Sequence, residues 1–342
     1  VEEFENALAK YCGSRYAIAV SNGTAALHLA NLVVGTKSKT EVITTPITFL
    51  ATPNSVIYNG GKPIFSDICN ENFTINSNYV NDLAKNNSRC KGIIPVHLGG
   101  VMCDMSSLSS IAHENNLWII EDACHALGGK WIDDNGERQS VGNCSHSDLT
   151  TFSFHPVKHI TTGEGGAITT NNKELYEKLL VLRTHGMTKN KNLLDEDHGG
   201  WYYEMHELGH NFRMTDFQAA LGIEQLKKSD EWVKRRKILV TNYDDAFQSI
   251  EQLYPQEHFE DDGYSYHLYI IQCENRRKLY DYLKANDIYT QVHYIPVHLH
   301  PYYKNNFNTK NGDCPEAEFA YEQIISLPIF PSMSERDVAR VS

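Results

Sequence analysis

Short apolar runs alternate with helical patterns over most of this chain, and that rhythm limits its fold more than any other feature. Tyr16–Val20 reads as a strand and Thr24–Val34 as a helix. Glu41–Thr45 is a strand and Phe49–Tyr58 a helix. Pro63–Asp67, Gly92–His97 and Leu117–Asp122 are three further strands, with helix Met105–Glu114 between the last two. Parallel strands need a long crossover between them, usually a helix. The alternation therefore predicts a parallel or mostly parallel α/β sheet.

Beyond Asp122 the pattern changes. Leu149–Phe154 and Ala167–Thr170 read as adjacent strands joined through a Gly-rich stretch. Leu175–Arg183, Asp216–Leu226 and Glu231–Phe247 read as helices. His267–Cys273, Arg277–Asn286 and Ile288–His293 then read as strand, helix and strand. This predicts a large domain over residues 1–230 and a small C-terminal α/β domain over residues 231–342. Asn190–Gly200 is mostly polar and is expected to form a mobile loop.

A length of 342 residues suits one large domain or two ordinary ones. The net charge of -12 argues against nucleic acid as a partner, because phosphate backbones attract Lys and Arg. It does not exclude a small anionic ligand. The eight cysteines (Cys12, Cys69, Cys90, Cys103, Cys124, Cys144, Cys273 and Cys314) include no C-x-x-C pair. Free thiols in a reducing compartment fit this spacing better than a disulfide framework. No apolar run reaches the length of a membrane span, and no signal peptide is visible. The chain opens at Val1 inside a helical pattern that runs to Lys10. The expected location is cytoplasmic.

Three segments carry chemistry. The first is Phe152-Ser153-Phe154-His155-Pro156-Val157-Lys158, followed by Thr161-Thr162-Gly163-Glu164-Gly165-Gly166. A lone Lys after a strand is ordinarily a solvated charge. This one follows two aromatic residues and precedes a glycine-rich turn. Held near apolar groups, a lysine loses basicity and becomes an imine-forming nucleophile. The second segment is Trp118-Ile119-Ile120-Glu121-Asp122, an apolar strand that delivers Asp122 at its C-terminal end. Ligands bind at that end of parallel sheets. Asp122 is either a helix cap or a carboxylate that keeps the ring nitrogen of a pyridine cofactor protonated. The third segment is Ser21-Asn22-Gly23-Thr24-Ala25-Ala26-Leu27, a turn from strand to helix whose free N–H groups suit a phosphate. It has neither G-x-G-x-x-G nor the G-K-[ST] of a P-loop.

Cradle, carboxylate and lysine, in that chain order, are the layout of a fold-type I pyridoxal phosphate enzyme. Here the chain resembles the DegT/DnrJ/StrS family of sugar-nucleotide aminotransferases. The likeness runs through Asn22–Leu27, Thr45-Pro46-Ile47-Thr48-Phe49, Glu121–Gly128, Phe152–Gly166 and Leu208-Gly209-His210-Asn211-Phe212-Arg213. It implies an aspartate-aminotransferase-like fold, with a large, mostly parallel seven-stranded sheet and a small C-terminal domain. It implies pyridoxal 5'-phosphate joined covalently to Lys158 through an imine. Lys158 is then the catalytic base. Asp122 pairs with the ring nitrogen, Phe49 stacks on the ring and His125 meets the ring hydroxyl. Thr24, Ala25 and Ser153 hold the phosphate. Asn211 reaches the cofactor of a neighbouring subunit, which implies a homodimer with shared active sites.

Gly209–Arg213, Leu182–Met187 and Gln291–His298 are similar to the family's pseudaminic acid branch. That branch aminates C4 of a UDP-linked 4-keto-6-deoxy-N-acetylhexosamine, with L-glutamate as donor. His155, His185, Tyr294 and His298 are then expected to contact the substrate. His293, His298 and His300 lack the spacing of a standard zinc motif, and no metal is expected. Other readings are an aminotransferase for a different keto sugar, or a cofactor-binding regulator. The chain offers no added basic helix for the latter. A sugar dehydratase of this fold would carry His at the position of Lys158.

Overall fold

The computed structural model describes residues 1–257 and 263–342. Its centre is a seven-stranded sheet. In chain order the strands are β1 (Tyr16–Val20), β2 (Glu41–Thr44), β3 (Lys62–Phe65), β4 (Cys90–Ile94), β5 (Trp118–Asp122), β6 (Leu149–Ser153) and β7 (Gly166–Thr170). Across the sheet the order is β1-β7-β6-β5-β4-β2-β3. β7 runs antiparallel to both its neighbours. Every other pair in the sheet is parallel.

Alternation along each strand decides which layer covers it. Ala17 and Ala19 face one side, against Phe4 and Leu8 of α1 (Glu2–Cys12) and Ala219 and Leu226 of α7 (Asp216–Leu226). Ile18 and Val20 face the other, against Leu27 and Leu29 of α2 (Gly23–Val33) and Leu179 and Leu182 of α6 (Lys173–Leu182). Both faces are apolar and both are covered, as a parallel sheet requires. On the same side as α2 lies α3 (Ala51–Tyr58), packed against it.

A second cluster forms around α8 (Ser229–Phe247), where Leu239, Tyr243 and Phe247 pack on a three-stranded antiparallel sheet. Its strands are β8 (Tyr254–Pro255), β9 (Tyr269–Gln272) and β10 (Ile324–Leu327). We propose a domain division at residues 230/231. In its support, Val233 and Trp232 lie near the start of α8 beside the large sheet's core, whereas the helix's later apolar residues join the second cluster.

One expectation is corrected here. Ile288–His293 is not a strand. It makes a single bridge, Gln291 to Ser326, and the chain then leaves the ladder so that Val292–Ile295 line a cavity. The strand that completes the small sheet is Ile324–Leu327. Among the described residues no helix is long and apolar enough to cross a membrane. The polar segment 190–200 is largely exposed, between the two-residue strands Met187–Thr188 and Glu204–Met205.

Candidate active site

The carboxyl ends of β5 and β6 open into a cleft of about 990 Å³. Its walls include Thr24, Ala25, Phe49, Asp122, His125, Ser153, His155, Lys158 and Tyr294. Nine of the residues singled out from sequence thus meet in one cavity, although more than 250 positions separate the first from the last.

Asp122 is buried at the end of β5. Its Oδ2 accepts a hydrogen bond of 2.6 Å from the Thr52 hydroxyl, and its Oδ1 accepts one of 3.1 Å from the Cys124 N–H. Lys158 sits five residues past the end of β6, after a turn in which its N–H donates to the His155 carbonyl. Desolvation holds the Lys158 ammonium below the ordinary lysine range, opposed by the negative charge of its neighbours. Of these, Cys124 is itself raised well above a normal thiol by burial and by Asp122, so it stays protonated at neutral pH. The anion beside Lys158 is therefore Asp122.

The N-terminus of α2 forms the next wall. Its cap is Asn22, whose side chain accepts from the Ala25 N–H at 2.8 Å. The N–H groups of Gly23 and Thr24 have no intrahelical acceptor. They present the positive end of the helix to the cleft. Gly23 is required here. A Cβ at this position would lie 2.9 Å from the Ser153 Cβ and 3.2 Å from its Oγ. The expectation for Ala25 is refined, because Asn22 already occupies its N–H.

Phe49 is 58% exposed and stands 6.1 Å from the Tyr294 ring. It offers an uncovered aromatic face, which is unusual for a Phe inside a cleft. His125 is buried and kept neutral, first by desolvation and then by Lys158, His293 and His159. Its Nδ1 accepts from the Gly99 N–H at 3.4 Å, so its Nε2–H donates to the Tyr294 hydroxyl at 3.3 Å. The His267 ring lies behind it, tilted by 46° at 4.4 Å, with His159 at 5.5 Å from His267. His155 is exposed at the rim, 3.9 Å from Glu164.

Three other expected residues lie elsewhere. His298 is corrected as a substrate contact. It is fully buried, and its Nε2 pairs with Glu318 at 2.8 Å. His185 is exposed outside this cavity, at a turn with φ of 59° whose N–H donates to the His210 carbonyl. Asn211 is also exposed and outside it, bridged to Thr184. Sequence reasoning missed His28, Thr52, Cys124, Glu164, His293 and His300 in the cleft wall. Of these, Cys124, Glu164 and His293 fell within segments already singled out, and His300 was weighed only as a metal ligand.

A family model described as the DegT/DnrJ/EryC1/StrS aminotransferase family matches residues 1–342. The chain belongs to this family. It is a sugar aminotransferase. Among its relatives is the spore coat polysaccharide biosynthesis protein SpsC of Bacillus subtilis, 40% identical over 99% of the chain and 86% of the relative. Another is the UDP-4-amino-4,6-dideoxy-N-acetyl-beta-L-altrosamine transaminase of Campylobacter jejuni, 37% identical over 98% of the chain and 86% of the relative. In structure the aminotransferase is similar to Helicobacter pylori PseC, an aminotransferase involved in the biosynthesis of pseudoaminic acid. The TM-score is 0.89 at 32% identity, over 99% of this chain and 88% of that one.

Pyridoxal phosphate is the family's cofactor, and its solved members include a PLP form. The residues of this aminotransferase fit such a group. A cradle that a Cβ would fill, a buried carboxylate, an uncovered aromatic face and a desolvated lysine surround one cleft.

Proposed function

We propose that the aminotransferase moves the amino group of L-glutamate to C4 of a UDP-linked 4-keto-6-deoxy-N-acetylhexosamine, in pseudaminic acid formation. The observation that carries the reaction class is Lys158 set beside Asp122 deep in a cleft whose wall is a helix N-terminus suited to an anion. The likeness to the Campylobacter transaminase and to PseC supports the substrate.

When bound, pyridoxal phosphate supplies an electron sink for the breaking of a C–H bond next to the transferred nitrogen. The protein does the rest. The Gly23 and Thr24 N–H groups and the Ser153 hydroxyl bind the phosphate. Phe49 orients the ring by stacking. Asp122 holds a proton on the ring nitrogen. Lys158 holds the cofactor covalently and, when released, its Nζ is the base that takes a proton and returns it. Desolvation keeps more of that amine unprotonated near neutral pH than in an exposed lysine. His125, neutral and donating from Nε2, fixes the Tyr294 hydroxyl so that its own hydrogen faces other acceptors. The exposed Asn211 lies outside the chain's own cavity, which supports its serving a partner's site in a homodimer. The proposed setting is the cytoplasm.

The similarity to SpsC, named for a different polysaccharide, favours a second reading in which another nucleotide-linked keto sugar is the acceptor. One experiment separates the two. The protein is incubated with glutamate and a panel of UDP-, GDP- and dTDP-linked 4-keto-6-deoxy sugars, and each amino sugar is identified by NMR. The UDP sugar bearing a 2-acetamido group is expected to turn over fastest. Preference for a dTDP sugar without that group would sink the first reading.

A further inference from the structure

The floor of the cleft holds two buried hydroxyls in line with Asp122. Thr52, in the first turn of α3, is fully buried and 2.6 Å from Asp122 Oδ2. Thr48 is buried behind it, with 2.9 Å between the two hydroxyl oxygens. Directions follow from chemistry. A carboxylate only accepts. Thr52 has one hydroxyl hydrogen, so it gives that hydrogen to Asp122. Thr48 must then be the donor in the Thr48–Thr52 contact. The chain of hydrogen bonds runs one way, from Thr48 to Thr52 to Asp122, and each bond polarises the next.

The rest of the carboxylate is also held. Oδ1 accepts the Cys124 N–H at 3.1 Å. Donors on both oxygens stop the carboxylate from rotating about its last torsion, and each oxygen keeps a free lone pair. Thr52 is itself fixed. Its N–H donates to the Phe49 carbonyl at 3.2 Å, and its carbonyl accepts the Ser55 hydroxyl at 2.6 Å. The hydroxyl is therefore delivered by a helix turn that also carries Phe49 just before it. Ring stacking and ring-nitrogen pairing are set by the same five residues of chain, Thr48–Thr52.

We propose that Thr52 is a positioning residue, whose hydroxyl, backed by Thr48, aims the Asp122 carboxylate at the ring nitrogen of the cofactor and limits its strength as a proton acceptor. This rests on the reading of Asp122 as the partner of that nitrogen. A residue of this kind acts through Asp122 and never touches substrate. It is comparable to the outer partners that orient metal ligands, whose loss typically costs roughly 10–100-fold in activity.

The test uses the full-length enzyme loaded with pyridoxal phosphate labelled with ¹⁵N in the ring. The ring-nitrogen shift reports its proton directly, independent of turnover. Thr52→Val keeps the shape and removes the hydroxyl. It should move the ¹⁵N shift and its pH midpoint, lower kcat by about ten-fold or more and leave the KM for glutamate within about two-fold. Thr52→Ser should restore both readouts. Thr48→Val should shift the ¹⁵N signal in the same sense by less, and it decides the matter if Thr52→Val does not fold. Asp122→Asn is the control. If Asp122→Asn moves the ring-nitrogen signal while Thr52→Val and Thr48→Val leave it at the wild-type position, the positioning role is overturned and the reading of Asp122 survives. If Asp122→Asn leaves it unmoved, both fall together.

Discussion

Lys158 carries the heaviest demand of any single residue, and its surroundings explain why it suits that demand. Desolvation disfavours its ammonium form, and the Asp122 carboxylate limits the effect. Lys158→Ala should lower turnover by at least ~10²-fold, the scale of a lost general base. A rapid-mixing trace of the glutamate half-reaction would measure this. Borohydride treatment of the wild-type enzyme should attach the cofactor to the peptide containing Lys158, and attachment at another lysine would end the assignment. Lys158 and Asp122 were legible because strand ends and glycine turns mark where side chains emerge at a sheet's carboxyl edge. His298 was not. It is fully buried, its partner Glu318 lies twenty positions on, and a local string does not reveal burial. His28, Thr52 and His300 were missed for a related reason: each sits on a helix face or in a loop whose direction only packing decides.

At the level of elements, the proposed phosphate cradle depends on how closely β6, β7 and the start of α2 approach one another. Gly166 of β7 lies against the backbone of Asn22, where a Cβ would come within 2.5 Å of its carbonyl group. Gly166→Ala should therefore destabilise the fold by about 1–3 kcal/mol, as overpacking does, read as a lower urea midpoint with the slope unchanged. Gly23→Ala should act differently. Its Cβ meets only the Ser153 side chain and the Cys124 sulfur, so the fold should persist while cofactor affinity drops. Titration of the cofactor-free protein with pyridoxal phosphate would show it, and unchanged affinity would mean the cradle does not hold the phosphate. The strands of the large sheet were readable from their apolar runs, with ends within three residues. Ile288–His293 misled because its apolar residues line a cleft instead of a ladder. Ile324–Leu327 escaped because it runs straight into Pro328 and reads as the start of a loop.

Across the whole molecule, five desolvated histidines shape the response to acid. His125 and His267 are held well below the normal imidazole range, His159 at about 3, and His293 and His28 at about 4, each chiefly by desolvation. Unfolded, each returns to about 6.5. Between about pH 6.5 and 4 the unfolded chain therefore binds more protons than the folded one. Stability is present above pH 6.5 and is lost as pH falls through that window. The urea midpoint should drop steeply from pH 7 to 5, and His267→Gln should make the drop shallower. A flat profile would contradict neutral burial of these rings. Assembly is tested separately. If Asn211 serves a partner, mixing the inactive variants Lys158→Ala and Asn211→Ala should recover part of the activity, because one composite site in each mixed dimer keeps both residues. Full activity in a monomer by light scattering would refute this. The proposed subunit contact rests on family likeness alone, since nothing local in Asn211 distinguishes it from a turn residue. The antiparallel β7, inserted between β1 and β6, has one further consequence. Val20 pairs with Gly166, so among the described residues the edge strand that leads into the cradle gains its sheet neighbour only from β7, well over a hundred positions further along the chain. If that turn holds the phosphate as proposed, its opposing wall forms only once β7 is in place, and capture of the cofactor is expected to follow completion of the sheet.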